Sequence, residues 1–234
     1  MHSVARLCNT IPYHTNHTIH TIPHLSPPLV VPYRTPNMSA ATETSEQGSS
    51  TPQDAFIRTA AGVYVSRRAV LHSAANVHLQ GRNWIEEGVV LDGTNAQISV
   101  GRYTAVEKGT KITPPPLLGP SSSSHAPVRI GAHTHIGHGC QVEAAAIGTC
   151  NSIGENCVIG ARCILKDAVV VAPNTHVPPD TVIPPFTRVW QEKTISGESL
   201  TPRLLQMPLS PATMALLQDA TLEAYEDRTR LVAK

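Results

Sequence analysis

Three histidines, His133, His135 and His138, fall within six residues, and Cys140 follows two positions later. Imidazole and thiolate are the side chains of zinc chemistry, and a catalytic zinc takes three good protein ligands plus an open position. The trio straddles what the surrounding pattern makes a corner, so exposed surface histidines account for it more simply. Cys140, Cys157 and Cys163 lack the CxxC spacing of a zinc or redox pair and read as packed, reduced thiols. Five more histidines (His2, His14, His17, His20 and His24) are irregularly spaced, in a stretch with no fold to hold a metal. The sequence has no Gly-rich phosphate cradle and no nucleophile beside a base. The expectation is a chain without catalytic residues, bound metal or cofactor.

The cysteines belong to a stronger pattern. From Val128 to Val189 an aliphatic returns every six positions: Ile130, Ile136, Val142, then Ile147, Ile153, Ile159, Leu165, Val171, Val177, Ile183 and Val189. One step, Val142 to Ile147, is five. Four residues after each aliphatic comes a small or short residue: Thr134, Cys140, Ala146, Asn151, Cys157, Cys163, Val169, Thr175, Thr181 and Thr187. Gly follows the aliphatic at Gly131, Gly137, Gly148, Gly154 and Gly160. Period six fits neither a helix nor a plain strand. It is the signature of a hexapeptide β-solenoid, in which three hexads close a triangular coil. Residues eighteen apart then stack at about 4.8 Å. The short step predicts three internal ladders: Ile130, Ile147, Leu165, Ile183; Ile136, Ile153, Val171, Val189; and Val142, Ile159, Val177.

The rest of the chain fits around that coil. Residues 1–54 are rich in Pro, Ser, Thr and His, carry no acid before Glu43, and read as a disordered extension. The coil is expected over 55–190, opening with a strand pair around Gly62. A side loop is expected near Asp92 to Gln97, and a larger corner loop over 114–127 (PPPLLGPSSSSHAP). Residues 191–209 read as a linker, and 210–232 as a helix starting at Ser210-Pro211 with a stripe of Met214, Leu217, Ala224 and Leu231. Lys plus Arg number 18 against 17 Asp plus Glu, so no nucleic-acid or acidic-membrane partner is implied. No apolar run reaches the roughly twenty residues of a membrane helix.

Two segments exceed the generic repeat: IGENCVIGARCILKD (Ile153 to Asp167) and VPPDTVIPPFT (Val177 to Thr187). With QVEAAAIG (Gln141 to Gly148) and FIRTAAGVYVSRRAVL from Phe56, they closely resemble the dynactin subunit five family, over roughly residues 55–190. That resemblance implies an all-β, single-stranded left-handed parallel β-helix with a C-terminal helix. It also implies a non-catalytic subunit of the dynactin pointed-end complex, cytoplasmic and cytoskeletal, supporting dynein-dependent microtubule transport. The implied partners are the sister β-helix subunit six, subunit four, the pointed-end actin-related protein and dynein cargo adaptors. Arg162, Lys166 and Arg188 are the candidate partner-binding residues. The same fold carries γ-class carbonic anhydrases, and His138 falls where their middle zinc ligand would lie. The other two ligand positions fall near Thr113 and on Glu143. Such an enzyme, or a mitochondrial assembly subunit with a transit peptide at its N-terminus, is the alternative.

Overall fold

The computed structural model describes residues 55–118, 124–196 and 199–233. The extension expected over residues 1–54, with its histidines, and the tip of the corner loop lie outside the described residues. β1 (Phe56–Arg58) turns at Gly62 into an antiparallel β2 (Tyr64–Ser66). The coil continues through β3 (Val70–His72), β4 (Val77–Leu79), β5 (Trp84–Ile85), β6 (Val90–Asp92), β7 (Ile98–Val100), β8 (Ala105–Val106) and β9 (Lys111–Ile112). It resumes with β10 (Val128–Ile130), β11 (His135–Ile136), β12 (Gln141–Val142), β13 (Ala146–Ile147), β14 (Ser152–Ile153) and β15 (Val158–Ile159). The last coils hold β16 (Ile164–Leu165), β17 (Val170–Val171), β18 (His176–Val177) and β19 (Val182–Ile183). Two longer strands, β20 (Thr187–Ser196) and β21 (Ser199–Pro208), and the helix α1 (Thr213–Val232) follow.

Every third strand stacks. The first face is β2-β5-β8-β11-β14-β17-β20, the second β3-β6-β9-β12-β15-β18, and the third β4-β7-β10-β13-β16-β19. The chain is therefore a left-handed parallel β-helix of about six turns. All three expected ladders are present in register, as Ile130↔Ile147↔Leu165↔Ile183, Ile136↔Ile153↔Val171↔Val189 and Val142↔Ile159↔Val177. They extend downward through Val100, Val106 and Ile112, and every one of these side chains is buried. Burying each contributes roughly 1.5–3 kcal/mol, so the prism is its own core.

The corners have their own period. Cys150, Asn156, Arg162, Ala168, Asn174, Asp180 and Phe186 all take positive φ, between 51° and 62°. For a side chain with a Cβ this left-handed turn costs on the order of 1–2 kcal/mol. It is offset because the same residues donate to the preceding coil, Asn156 N to His138 O and Arg162 N to Glu143 O among them. Glycine is required where a corner meets the next coil closely: a Cβ on Gly154 would lie 2.6 Å from Pro173 N.

Three expectations need correction. Ala146 is not in the inward small column; it pairs with Arg129 and Ile164 on the outside of the third face, and Ala144 is the buried residue at that corner. The residue lost between Val142 and Ile147 comes out of the corner itself, so counting four past Val142 lands on the strand. Residues 191–209 are not a linker, because β20 and β21 pair antiparallel from Thr187↔Pro208 to Ser196↔Ser199. Leu204 of that hairpin packs against the core at the end of the prism. Finally, helix α1 begins later than Ser210-Pro211: these residues form a turn, with Thr213 N donating to Ser210 O.

Replacing Ile159 with Asp puts a carboxylate between Val142 and Val177, where it has no counter-charge. The expected loss exceeds about 4 kcal/mol, against about 0.5 kcal/mol or less for Lys111→Ala on the exposed side of β9. Urea unfolding followed by circular dichroism measures both, and equal midpoints would refute the assignment of the inward column.

Candidate functional site

The side chains that point outward from the three faces meet different fates. On the second face Lys111, Gln141 and His176 are exposed, and on the third Arg129 and Val182 are. The outward column of the first face runs Tyr64, Trp84, Ala105, His135, Ser152, Val170 and Arg188. Here Tyr64, Trp84 and Ser152 are buried, and α1 lies on this face, with Tyr225 against Tyr64 and Arg228 over Trp84. Twenty helical residues span about 30 Å. Six strand spacings from β2 to β20 come to about 29 Å. The helix and the stack match in length.

The helix is held mostly by polar contacts. Thr213, Leu217 and Thr221 are its buried residues, and of the expected stripe Leu231 is 67% exposed. The seat runs instead along Leu217, Thr221, Tyr225 and Arg228, matching a face that offers aromatic and histidine side chains. Tyr225 Oη donates to Gly62 O at 2.7 Å, and its ring sits edge-on to Tyr64 and Tyr103. Arg228 Nη2 donates to Glu107 Oε1 at 3.0 Å, with the guanidinium 6.0 Å from the centre of the Trp84 ring. Phe56 and Tyr64 flank Trp84 at 4.6 and 5.2 Å. Among the described residues, Trp84 Nε1 and Arg228 Nη1 are buried donors without a partner. Each orphan costs about 1–3 kcal/mol, comparable to what burying Leu217 contributes. The seat is therefore specific but shallow.

The three histidines do not converge. His133 sits at the corner before β11, stacked on Tyr103 at 5.0 Å. Its Nδ1 lies 3.0 Å from Thr221 Oγ1, which itself donates to Gln218 O, so Nδ1 carries the hydrogen. His135, on β11, places Nε2 2.8 Å from Glu107 Oε1. His138, at the next corner, pairs through Nδ1 with Glu155 Oε2 at 3.1 Å. Thr113 and Glu143 follow β9 and β12 at the corner between the second and third faces, with Thr113 N donating to Val142 O and Glu143 N to Ile159 O. Among the described residues, no three His, Cys, Asp or Glu side chains gather in a metal-binding group.

The expected trio Arg162, Lys166 and Arg188 is not one patch. Arg162 lies at the corner between the second and third faces. It holds Asp180 through two bonds of 2.6 Å, and its Nη1 donates to Pro116 O at 3.0 Å, which ties down the corner loop. Lys166 is exposed past β16, at the corner between the third and first faces. Arg188 is half-buried on the first face, in register with Val170 and Met207. The sequence reading missed Tyr64, Trp84, Tyr103, Glu107, Tyr225 and Arg228. The available signal was the concentration of scarce aromatics between Phe56 and Tyr103, in a chain with only 4% of them.

Protonation bears on the helix seat. Burial holds His133 below its ordinary pKa. Burial also pushes the Glu107 carboxyl up, but the bond from His135 and the attraction of His135, Arg228 and His138 outweigh it, leaving Glu107 below the usual range. A depressed histidine binds more protons when released than when docked. Its contribution is therefore complete above about pH 6.5 and falls as the pH drops below it. Glu107 acts in the same direction at lower pH. Amide exchange of residues 213–232 should thus speed up between pH 7 and pH 5 after correction for intrinsic rates, while that of β11 to β17 stays slow. Arg228→Ala should show the faster helix exchange already at pH 7. A helix as protected at pH 5 as at pH 7 would contradict this account of the seat.

Comparison with known proteins agrees with the architecture. The dynactin subunit 5 family matches residues 50–229. The curated dynactin subunit 5 of Dictyostelium discoideum is 41% identical over 94 residues, 40% of this chain and 48% of that one. The chain thus spans about half the length of the curated relative it matches. A hexapeptide transferase family protein from Anaplasma phagocytophilum superposes with a TM-score of 0.51 at 19% identity, covering 72% of this chain and 91% of that one. A mutant of AntD, an N-acyltransferase from Bacillus cereus, gives 0.51 at 11% identity over 69% and 88% of the two chains. Those two likenesses concern the fold alone. With its family match running from the strand pair at the base of the solenoid into α1, the chain belongs to the dynactin subunit 5 family.

Proposed function

We propose that this chain is a non-catalytic structural subunit of the dynactin pointed-end complex, supporting dynein-dependent transport along microtubules and the engagement of cargo adaptors. The family match carries the reading. Its surface is consistent with docking. The first face is taken by the chain's own helix, while the second and third faces present a mixed exposed array of Lys111, Gln141, His176, Arg129 and Val182. Three of the candidate side chains are held in ion pairs: His135 with Glu107, His138 with Glu155, Arg162 with Asp180. The partners in this reading are subunit six, subunit four, the pointed-end actin-related protein and cargo adaptors, in the cytoplasm and on the cytoskeleton. No helix among the described residues is long and apolar enough to cross a membrane. Lys166, on an open corner, is the side chain of the expected trio best placed for a partner; Arg162 acts by holding the loop.

Affinity purification of the tagged chain followed by mass spectrometry should recover those subunits in near-equal amounts, and Lys166→Glu should reduce at least one of them severalfold. Purified chain assayed for zinc and for carbon dioxide hydration should give neither. A tightly held zinc per chain with measurable hydration, and no dynactin subunits recovered, would instead establish the γ-carbonic-anhydrase reading.

A further inference from the structure

A parallel coil has two unlike ends, and the direction of its hydrogen bonds distinguishes them. Within the stack Val158 N donates to Thr175 O, Gly160 N to Val177 O, Ile164 N to Thr181 O and Lys166 N to Ile183 O, each pointing toward the next coil. One coil later, the donors aimed out of the end of the prism belong to positions 176, 178, 182 and 184. Residues 178 and 184 are prolines, which have no N–H. His176 N is taken by the Gln191 side chain at 3.4 Å, which among the described residues leaves Val182. Equivalent positions in earlier coils keep the donor: Glu143 N bonds to Ile159 O and Gly148 N to Leu165 O.

The first face ends in the same way. Val189 O accepts from Ala172 N, so Val189 faces β17 and its neighbours Arg188 and Trp190 face β21. Their partners Met207 and Leu205 face back. The outward positions of β21 are then 202, 204, 206 and 208, and Pro202 and Pro208 are two of them. Four prolines thus occupy eight outward positions, where 20 in 234 residues would place fewer than one by chance. Pro is a recognised block on an open strand edge.

The opposite end explains what is being blocked. β1 covers the first face there, but among the described residues β3 and β4 are the terminal strands of the other two. Val70 N and Gln80 N point up the stack, to Val89 O and Val100 O, so Leu71 and Leu79 present their backbone groups downward. The top of one chain would therefore meet a ready edge at the bottom of another, and such a head-to-tail contact does not close on itself. We infer that the last coil and β21 form a built stop, in which prolines at outward donor positions keep a second copy of this chain from stacking on the solenoid. This does not depend on the dynactin reading.

The test uses the full chain in two variants, Pro178→Ala/Pro184→Ala on the last coil and Pro202→Ala/Pro208→Ala on the hairpin. Light scattering and sedimentation should show wild type at one mass across concentrations. A folded variant should rise about twofold or more in mass with concentration, by an open head-to-tail series. Folded variants that keep the wild-type mass would overturn the inference, as would wild type that already stacks. Loss of fold in both variants would overturn it too, because the prolines would then be holding the coil together rather than closing its edge.

Discussion

Each coil must sit on the one before it, and nearly everything else in the molecule answers to that vertical match. The match is made twice over, by aliphatic side chains stacked inside the prism and by backbone bonds running along its walls. Interiors close-packed like crystals tolerate little difference in shape between stacked neighbours, which is why Ile, Val and Leu recur in the ladders. The left-handed corner residues follow from the same demand. A chain that must turn sharply every six residues and still present N–H groups to its neighbour has few conformations left, and these corners use one that glycine and asparagine adopt most readily.

The hexad from Val128 onward was legible because spacing alone reports inward direction, and buried ladders forgive little. The early coils were harder to read. Val65 to Ile85 takes 20 residues and Ile85 to Val106 takes 21, so the period is diluted before the regular stretch begins. The hairpin of β20 and β21 was hidden for another reason. Its contacts with the core are made at Val189 and Leu204, on two strands that run antiparallel, and two such positions set no six-residue period. Pro202 and Pro208, which suit an outer edge, looked like the punctuation of a linker.

The site was less legible than the fold, because it is built across the sequence. Glu107 and Arg228 are brought together from positions 121 residues apart, and Tyr225 meets Gly62 across 163. Neither contact leaves a local spacing to find. The histidines show the converse: three neighbours in sequence are sent to two corners and a strand, and each takes a different partner. Density along the chain was a poor guide to density in space. The arginine and lysine candidates had the same fault, since Arg162, Lys166 and Arg188 lie within 27 residues of chain while the coil deals them to two separate corners and a face.

Repeat folds are usually free to gain or lose units, since each touches only its neighbours. Here α1 withdraws that freedom. An added coil would lengthen the stack by about 4.8 Å, slightly more than three helical residues. Tyr225 and Arg228 would then fall short of Gly62 and Glu107 and face another way around the helix. The helix works as a gauge laid against the solenoid, so coil number and helix length have to change together or not at all. A fold that could in principle be any height is fixed at one.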